Sequence, residues 1–178
     1  AKRLSESTGE DASTIHRALE MTGGEDNKFI FNSQNKLSYD VIIVDEVSMV
    51  DVQLMYAFLR AIKGGARIIL CGDADQLPSV GAGNVLKDII DSDIIPVIRL
   101  EQIFRQAEES LIVVNAHKIN NGIHPDLTER LDDFFFIQND REDMPAYIAD
   151  LCNSRLPKKY GITDGIQVIA PTKKGLCG

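Results

Sequence analysis

Val41-Ile42-Ile43-Val44-Asp45-Glu46-Val47-Ser48-Met49 carries four β-branched apolar residues straight into two adjacent carboxylates. A continuous apolar run, rather than an alternating one, predicts a strand buried on both faces of a parallel sheet. In an open parallel sheet the carboxyl ends of the strands border the ligand crevice, so Asp45 and Glu46 are delivered to its edge. Consecutive strand positions point to opposite faces, which lets one acid hold a metal while the other handles water. A strand that simply ends in a solvated acidic turn accounts for the same residues.

A second run repeats the arrangement: Arg67-Ile68-Ile69-Leu70 leads into Cys71-Gly72-Asp73-Ala74-Asp75-Gln76-Leu77-Pro78. Gly72 permits a tight turn and close backbone approach, and Gln76 is a neutral donor and acceptor suited to a terminal phosphate and a water. The plain alternative is an Asp-rich turn closed by Pro78, with Asp73 and Asp75 solvated. Further on, Leu100-Glu101-Gln102-Ile103-Phe104-Arg105-Gln106 offers a guanidinium, Arg105, suited to neutralising charge on a transferring phosphoryl group. An ordinary surface ion pair is the competing reading of Arg105.

Outward from these runs the chain alternates strand and helix patterns. Further strands are expected at Ile94 to Leu100, Phe134 to Ile137 and Ile166 to Ala170. Helices are expected at Thr14 to Met21, Asp51 to Ile62, Ala82 to Asp91, Glu108 to Asn120 and Asp143 to Asn153, with Ser13 or Thr14 capping the first and Asn121-Gly122 stopping the fourth. Strands alternating with helices give an α/β fold. Gly23 to Ser38 reads as a loop around a short Phe-Ile-Phe core, Gly122 to Asp133 reads as a connection, and a domain boundary falls near residue 100.

Composition narrows the class. With 178 residues, 44% hydrophobic and 26% charged, the chain can bury a sizeable core and is neither disordered nor a disulfide-stapled miniprotein. No apolar run approaches the roughly 20 residues of a membrane helix, so no membrane partner is expected. Cys71, Cys152 and Cys177 include no C-x-x-C pair, which suggests neither a disulfide framework nor a four-cysteine zinc site and fits a reducing, cytoplasmic setting. A net charge of -8 supplies no global pull toward nucleic acid, so any DNA contact must be local. The opening Ala1-Lys2-Arg3-Leu4-Ser5-Glu6 carries neither a secretion signal nor an initiating Met, and the chain is expected to begin partway through a longer polypeptide.

Together these segments resemble the superfamily 1 DNA helicases of the RecD/TraA type. Asp45-Glu46-Val47-Ser48-Met49 is similar to motif II (the Walker B element), the run from Gly72 through Gln76 and Gly83 to Asn84 to motif III, and Ile103-Phe104-Arg105-Gln106 to motif IV. Their order and spacing agree with that family. Ala1 to Glu6 resembles the tail of motif Ia, Ser13-Thr14-Ile15-His16-Arg17 the element that follows it, and Ile166 to Gly175 the strand and loop beyond motif IV. The resemblance therefore spans nearly the whole chain.

What it implies is a RecA-like P-loop NTPase motor core, incomplete at both ends: residues 1–102 as part of a first motor domain and 103–178 as the beginning of a second. It implies ATP and Mg²⁺ as cofactors, with Asp45 holding the ion, Glu46 activating water, Gln76 reading the γ-phosphate and Arg105 acting as a finger from the second domain. Thr14, His16, Arg17 and Ser79 would face DNA, and Lys173 and Lys174 would touch its backbone unless they are a solvated pair. Implied partners are single-stranded DNA, duplex junctions and the subunits of a helicase–nuclease complex. Translocation would run 5′ to 3′, in recombination, repair or conjugative transfer. No G-x-x-x-x-G-K-[ST] loop occurs in these residues, so the chain alone is not expected to hydrolyse ATP. Two readings from other classes remain: a metal-dependent phosphohydrolase using Asp45, Glu46, Asp73 and Asp75, and a noncatalytic nucleic-acid or protein binding module.

Overall fold

A computed structural model describes residues 1–21, 29–100, 110–128, 133–162, 164–172 and 174–175. The chain divides into two compact units, Ala1–Glu101 and Gln102–Gly178.

The first unit is built on β1 (Val41–Val44), α3 (Val52–Ala61) and β2 (Arg67–Leu70), preceded by α1 (Lys2–Thr8) and α2 (Ile15–Ala18) and followed by α4 (Val85–Asp91). β1 and β2 pair in parallel, Val41 opposite Arg67 and Val44 opposite Leu70. The pairing continues past both strands, because the Cys71 amide donates to Val44 O at 2.8 Å and the Val47 amide to Cys71 O at 3.0 Å. α3 begins where Asp51 accepts from the Leu54 amide at 2.7 Å, an N-cap worth about 1 kcal/mol. From there Met55, Phe58 and Ala61 recur at helical spacing and are buried, each large side chain contributing roughly 1.5–3 kcal/mol. They join Leu19, Leu37, Val44, Val47, Val50, Val85 and Leu86 in one core.

Strand burial differs from the expectation. Ile42, Val44 and Leu70 pack into or against the core, whereas Val41 and Ile43 on the alternate face are 51% and 56% exposed. A period of two sends alternate residues to opposite faces, and among the described residues the core packs on one face alone. The expected strands at Ile94 to Leu100, Phe134 to Ile137 and Ile166 to Ala170 are not strands; Ile94, Ile98 and Leu100 are 83%, 89% and 96% exposed. Apolar β-branched sequence favours extended backbone, but a strand exists only where a neighbour supplies a continuous ladder; among the described residues of these segments Phe134 alone makes an isolated bridge.

Helix bounds shifted for local reasons. The first expected helix is cut to Ile15–Ala18, capped by Thr14, whose hydroxyl accepts from the Arg17 amide at 3.4 Å. α4 starts at Val85 rather than Ala82, since Gly83 at φ 98 lies outside helical space. α1, not expected from the sequence, occupies the opening segment. The Phe-Ile-Phe stretch contributes Phe29 and Phe31 against the core, with Met21 and Phe29 in an isolated antiparallel bridge.

In the second unit, α5 (Leu111–Asn120) is capped by Ser110 and stops at Asn121-Gly122. Asp133 accepts from Ser110 Oγ at 2.6 Å, a bond that lowers its pKa below the ordinary carboxylate value. Buried Asn115 imitates a backbone pair, donating to Asp126 O at 2.9 Å and accepting from the Asp126 amide at 2.8 Å. α6 (Met144–Asp150), a π-helical turn (Leu151–Arg155) and α7 (Leu156–Tyr160) follow. No described helix is long and apolar enough to cross a membrane.

Candidate active site

The two strand-end loops are fastened to each other. After β1, Asp45 and Glu46 are both exposed, and Glu46 takes a left-handed conformation, φ 56, that turns the chain into a 3₁₀ turn at Val47–Met49. The Glu46 amide donates to Asp45 Oδ1 at 3.0 Å, which orients that carboxylate at the sheet edge. After β2, Gly72 lies directly on this turn: a Cβ there would come within 2.9 Å of Leu86 Cδ2, 3.0 Å of Val47 N and 3.2 Å of Ser48 N. Close backbone approach of this kind is what glycine allows. One missing side chain thus lets the acidic turn and the second loop share a single edge.

The second loop is held by its own aspartate. Asp73 Oδ1 accepts from the Asp75 amide at 3.0 Å, and Asp73 Oδ2 accepts from Gln76 Nε2 at 3.3 Å. Gln76 is exposed, and its amide retains a second N–H and its oxygen for a ligand. Asp73 is therefore a support for Gln76. Beyond it, Ser79 Oγ donates to Gly81 O at 3.0 Å and Gly83 O at 3.3 Å, and the Val52 amide donates to Ala82 O at 3.1 Å. Gly81 lies against the Asp51 side chain and Gly83 against Val52, so the loop is stitched to the start of α3.

Mg²⁺ fits this edge. It takes one or two carboxylates and completes its shell with water and substrate phosphates, which suits the single oriented, exposed carboxylate of Asp45. Among the described residues no group of three or more His, Cys, Asp or Glu side chains is placed to cage an ion.

Sequence reasoning singled out Asp45, Glu46, Gly72 and Gln76: Gly72 packs on the turn that follows Asp45 and Glu46, and Gln76 follows in the same loop as Gly72, held by Asp73. It missed two supports. Asp51, the cap of α3, also seats Gly81. Ser48 is buried, 6% exposed, and among the described residues its hydroxyl has no hydrogen-bond partner. No sequence signal marks such a residue, because its turn is packed by distant segments, Gly72 at the Ser48 amide and α4. An unsatisfied buried hydroxyl costs about 1–3 kcal/mol, so Ser48→Ala is expected to raise the thermal midpoint of the chain by a few degrees in a calorimetric scan. A lowered midpoint would mean the hydroxyl is satisfied.

The remaining site residues are each held by local contacts of their own. Thr14 caps α2, and exposed His16 stands 6.1 Å from the Phe29 ring, centroid to centroid. Arg17 is exposed and lines a shallow crevice with Ser13, Ser38 and Tyr39. Ser79 is half-buried within its loop, and Lys174 is exposed in the second unit. Arg105 and Lys173 lie outside the described residues.

Residues 1–141 match the family described as AAA domain. The whole chain is 35% identical to the ATP-dependent RecD2 DNA helicase of Deinococcus radiodurans, covering 23% of that protein. Over 80 residues, 45% of the chain and 14% of the relative, it is 50% identical to the RecBCD enzyme subunit RecD of Mycobacterium tuberculosis. Over 124 residues, 64% of the chain and 13% of the relative, it is 32% identical to the ATP-dependent DNA helicase PIF1 of Trypanosoma brucei brucei. The chain thus spans less than a quarter of the length of these relatives. Parallel β1 and β2 joined through α3, with acids at their carboxyl ends, are part of an α/β, RecA-like P-loop core. The chain belongs to the AAA domain family, among the RecD-type superfamily 1 helicases.

Proposed function

We propose that these residues form the water-activating side of the ATP site in a DNA helicase that couples hydrolysis to movement along single-stranded DNA and to duplex unwinding. The observation that carries this reading is the seating of Gly72 on the Val47–Met49 turn, which packs the loop leading to Gln76 against the turn that begins at Glu46. Residues 1–102 belong to the first motor domain and 103–178 to the second.

In this reading Asp45 holds Mg²⁺, which when bound neutralises charge on the phosphates. Glu46 takes the proton of the attacking water. Gln76, braced by Asp73, donates to the γ-phosphate, and Arg105 stabilises the charge that builds on it during transfer. Thr14, His16, Arg17 and Ser79, with Lys173 and Lys174, contact DNA. The isolated chain, with no G-x-x-x-x-G-K-[ST] loop to cradle phosphate, does not turn over ATP. Translocation runs 5′ to 3′ and serves recombination, repair or conjugative transfer. The mycobacterial relative carries the name of a RecBCD enzyme subunit, which supports subunits of a helicase–nuclease complex as partners.

Unwinding assays on the complete motor carrying these residues test the reading. A duplex with a 5′ single-stranded tail is expected to be opened with ATP, and one with only a 3′ tail is not. Failure on both tails would remove the helicase assignment; opening from the 3′ tail alone would reverse the polarity.

A further inference from the structure

The chain is acidic overall, yet one surface of its second unit sets lysine among aromatic rings. Lys159 Nζ lies 5.2 Å from the centroid of the Phe135 ring and 5.0 Å from that of Tyr160. Lys158 precedes it in the last turn of α7, and neither lysine has a carboxylate partner among the described residues. Arg155 sits over the Tyr147 ring at 5.0 Å, but its charge is engaged by Asp150 at 2.6 Å. Phe135 and Tyr160 are 46% and 45% exposed, so an ammonium on one ring face leaves surface on each ring open to another flat group.

We infer that Phe135, Lys159 and Tyr160, with Lys158 beside them, form a stacking platform for single-stranded DNA. Successive bases present flat π-faces that stack on aromatic rings, and the phosphates between them need cations at that spacing. An apolar partner surface would leave both ammonium groups without a counter-charge, whereas a phosphodiester strand satisfies rings and lysines together. With a net charge of -8 the chain cannot draw DNA by its overall field, so a local array of this kind is what contact requires. The inference rests on the helicase reading for its choice of ligand, and adds residues that the motif resemblance did not supply.

The test is an anisotropy titration of a labelled oligothymidylate with the 178-residue chain. Phe135→Ala and Tyr160→Ala are each expected to weaken binding roughly tenfold. Phe135→Trp is expected to keep the affinity and Phe135→Leu to lose it, which separates stacking from apolar packing. Lys158→Gln and Lys159→Gln should each flatten the dependence of log affinity on log salt by roughly 0.7. Absence of binding by the unaltered chain, undiminished binding by both alanine variants, or full affinity in Phe135→Leu would overturn the platform. ATP turnover by the complete motor is a separate readout: turnover with undiminished binding by the alanine variants removes the platform alone. Binding that depends on Phe135 in a motor silent on ATP keeps the platform and removes the motor assignment.

Discussion

Glu46→Gln is expected to leave ATP binding by the complete motor intact while lowering DNA-stimulated turnover by roughly 100- to 10,000-fold, the contribution of a positioned general base. The substitution keeps the length and shape of the side chain and removes only its ability to take a proton. Its structural effects are small for reasons visible locally. Glu46 is exposed, and the bond it makes to Asp45 uses its backbone amide, which glutamine retains. Single-turnover hydrolysis beside a nucleotide-binding titration separates the two quantities. Turnover at the unaltered rate would show that another group activates the water.

Gly83→Ala is expected to destabilise the first unit by about 3 kcal/mol or more, from two costs that add at one position. Gly83 sits at φ 98, where an L side chain is strained, and its Cβ would overlap Val52 Cγ2. The second cost is specific to the loop that Ser79, Gly81 and Ala82 hold on the start of α3. Gly65 is the control, having φ 84 with open space around its Cβ position, so Gly65→Ala carries the strain without the overlap. In urea titrations Gly83→Ala should therefore fall well below Gly65→Ala. Equal midpoints would mean that Val52 yields freely and the loop is not fastened there.

The parts of the fold legible in the sequence were those decided by neighbouring residues. Val41 to Val44 and Arg67 to Leu70 are short apolar runs bounded by polar turns, and α3 opens on an aspartate cap three residues before the Leu54 amide it binds. What the sequence did not carry depends on residues far away along the chain. Ile94 to Leu100 is also rich in Ile and Val, though broken by Pro96, and has no ladder partner among the described residues. Gly83 moved the start of α4 through a φ value that its sequence context does not announce. At the candidate site, Asp45, Glu46 and Gln76 were visible as polar residues ending apolar runs. Ser48 was invisible as a buried orphan, since what packs on its turn, Gly72 and α4, comes from further along the chain. The platform at Phe135 and Tyr160 was equally hidden, because their shared lysine joins residues 24 to 25 positions apart in the numbering.

On the proposed reading, the strand-end loops that carry Asp45, Glu46 and Gln76 form one side of an ATP site, and this side works only in a complete motor. This is tested most directly by measuring Mg²⁺-dependent ATP hydrolysis, with and without oligothymidylate, for the 178-residue chain and for the complete motor. The expected result is a silent chain and a motor whose turnover rises with DNA. Hydrolysis of ATP or of a simple phosphate ester by the chain alone, or a complete motor that leaves ATP untouched, would contradict it.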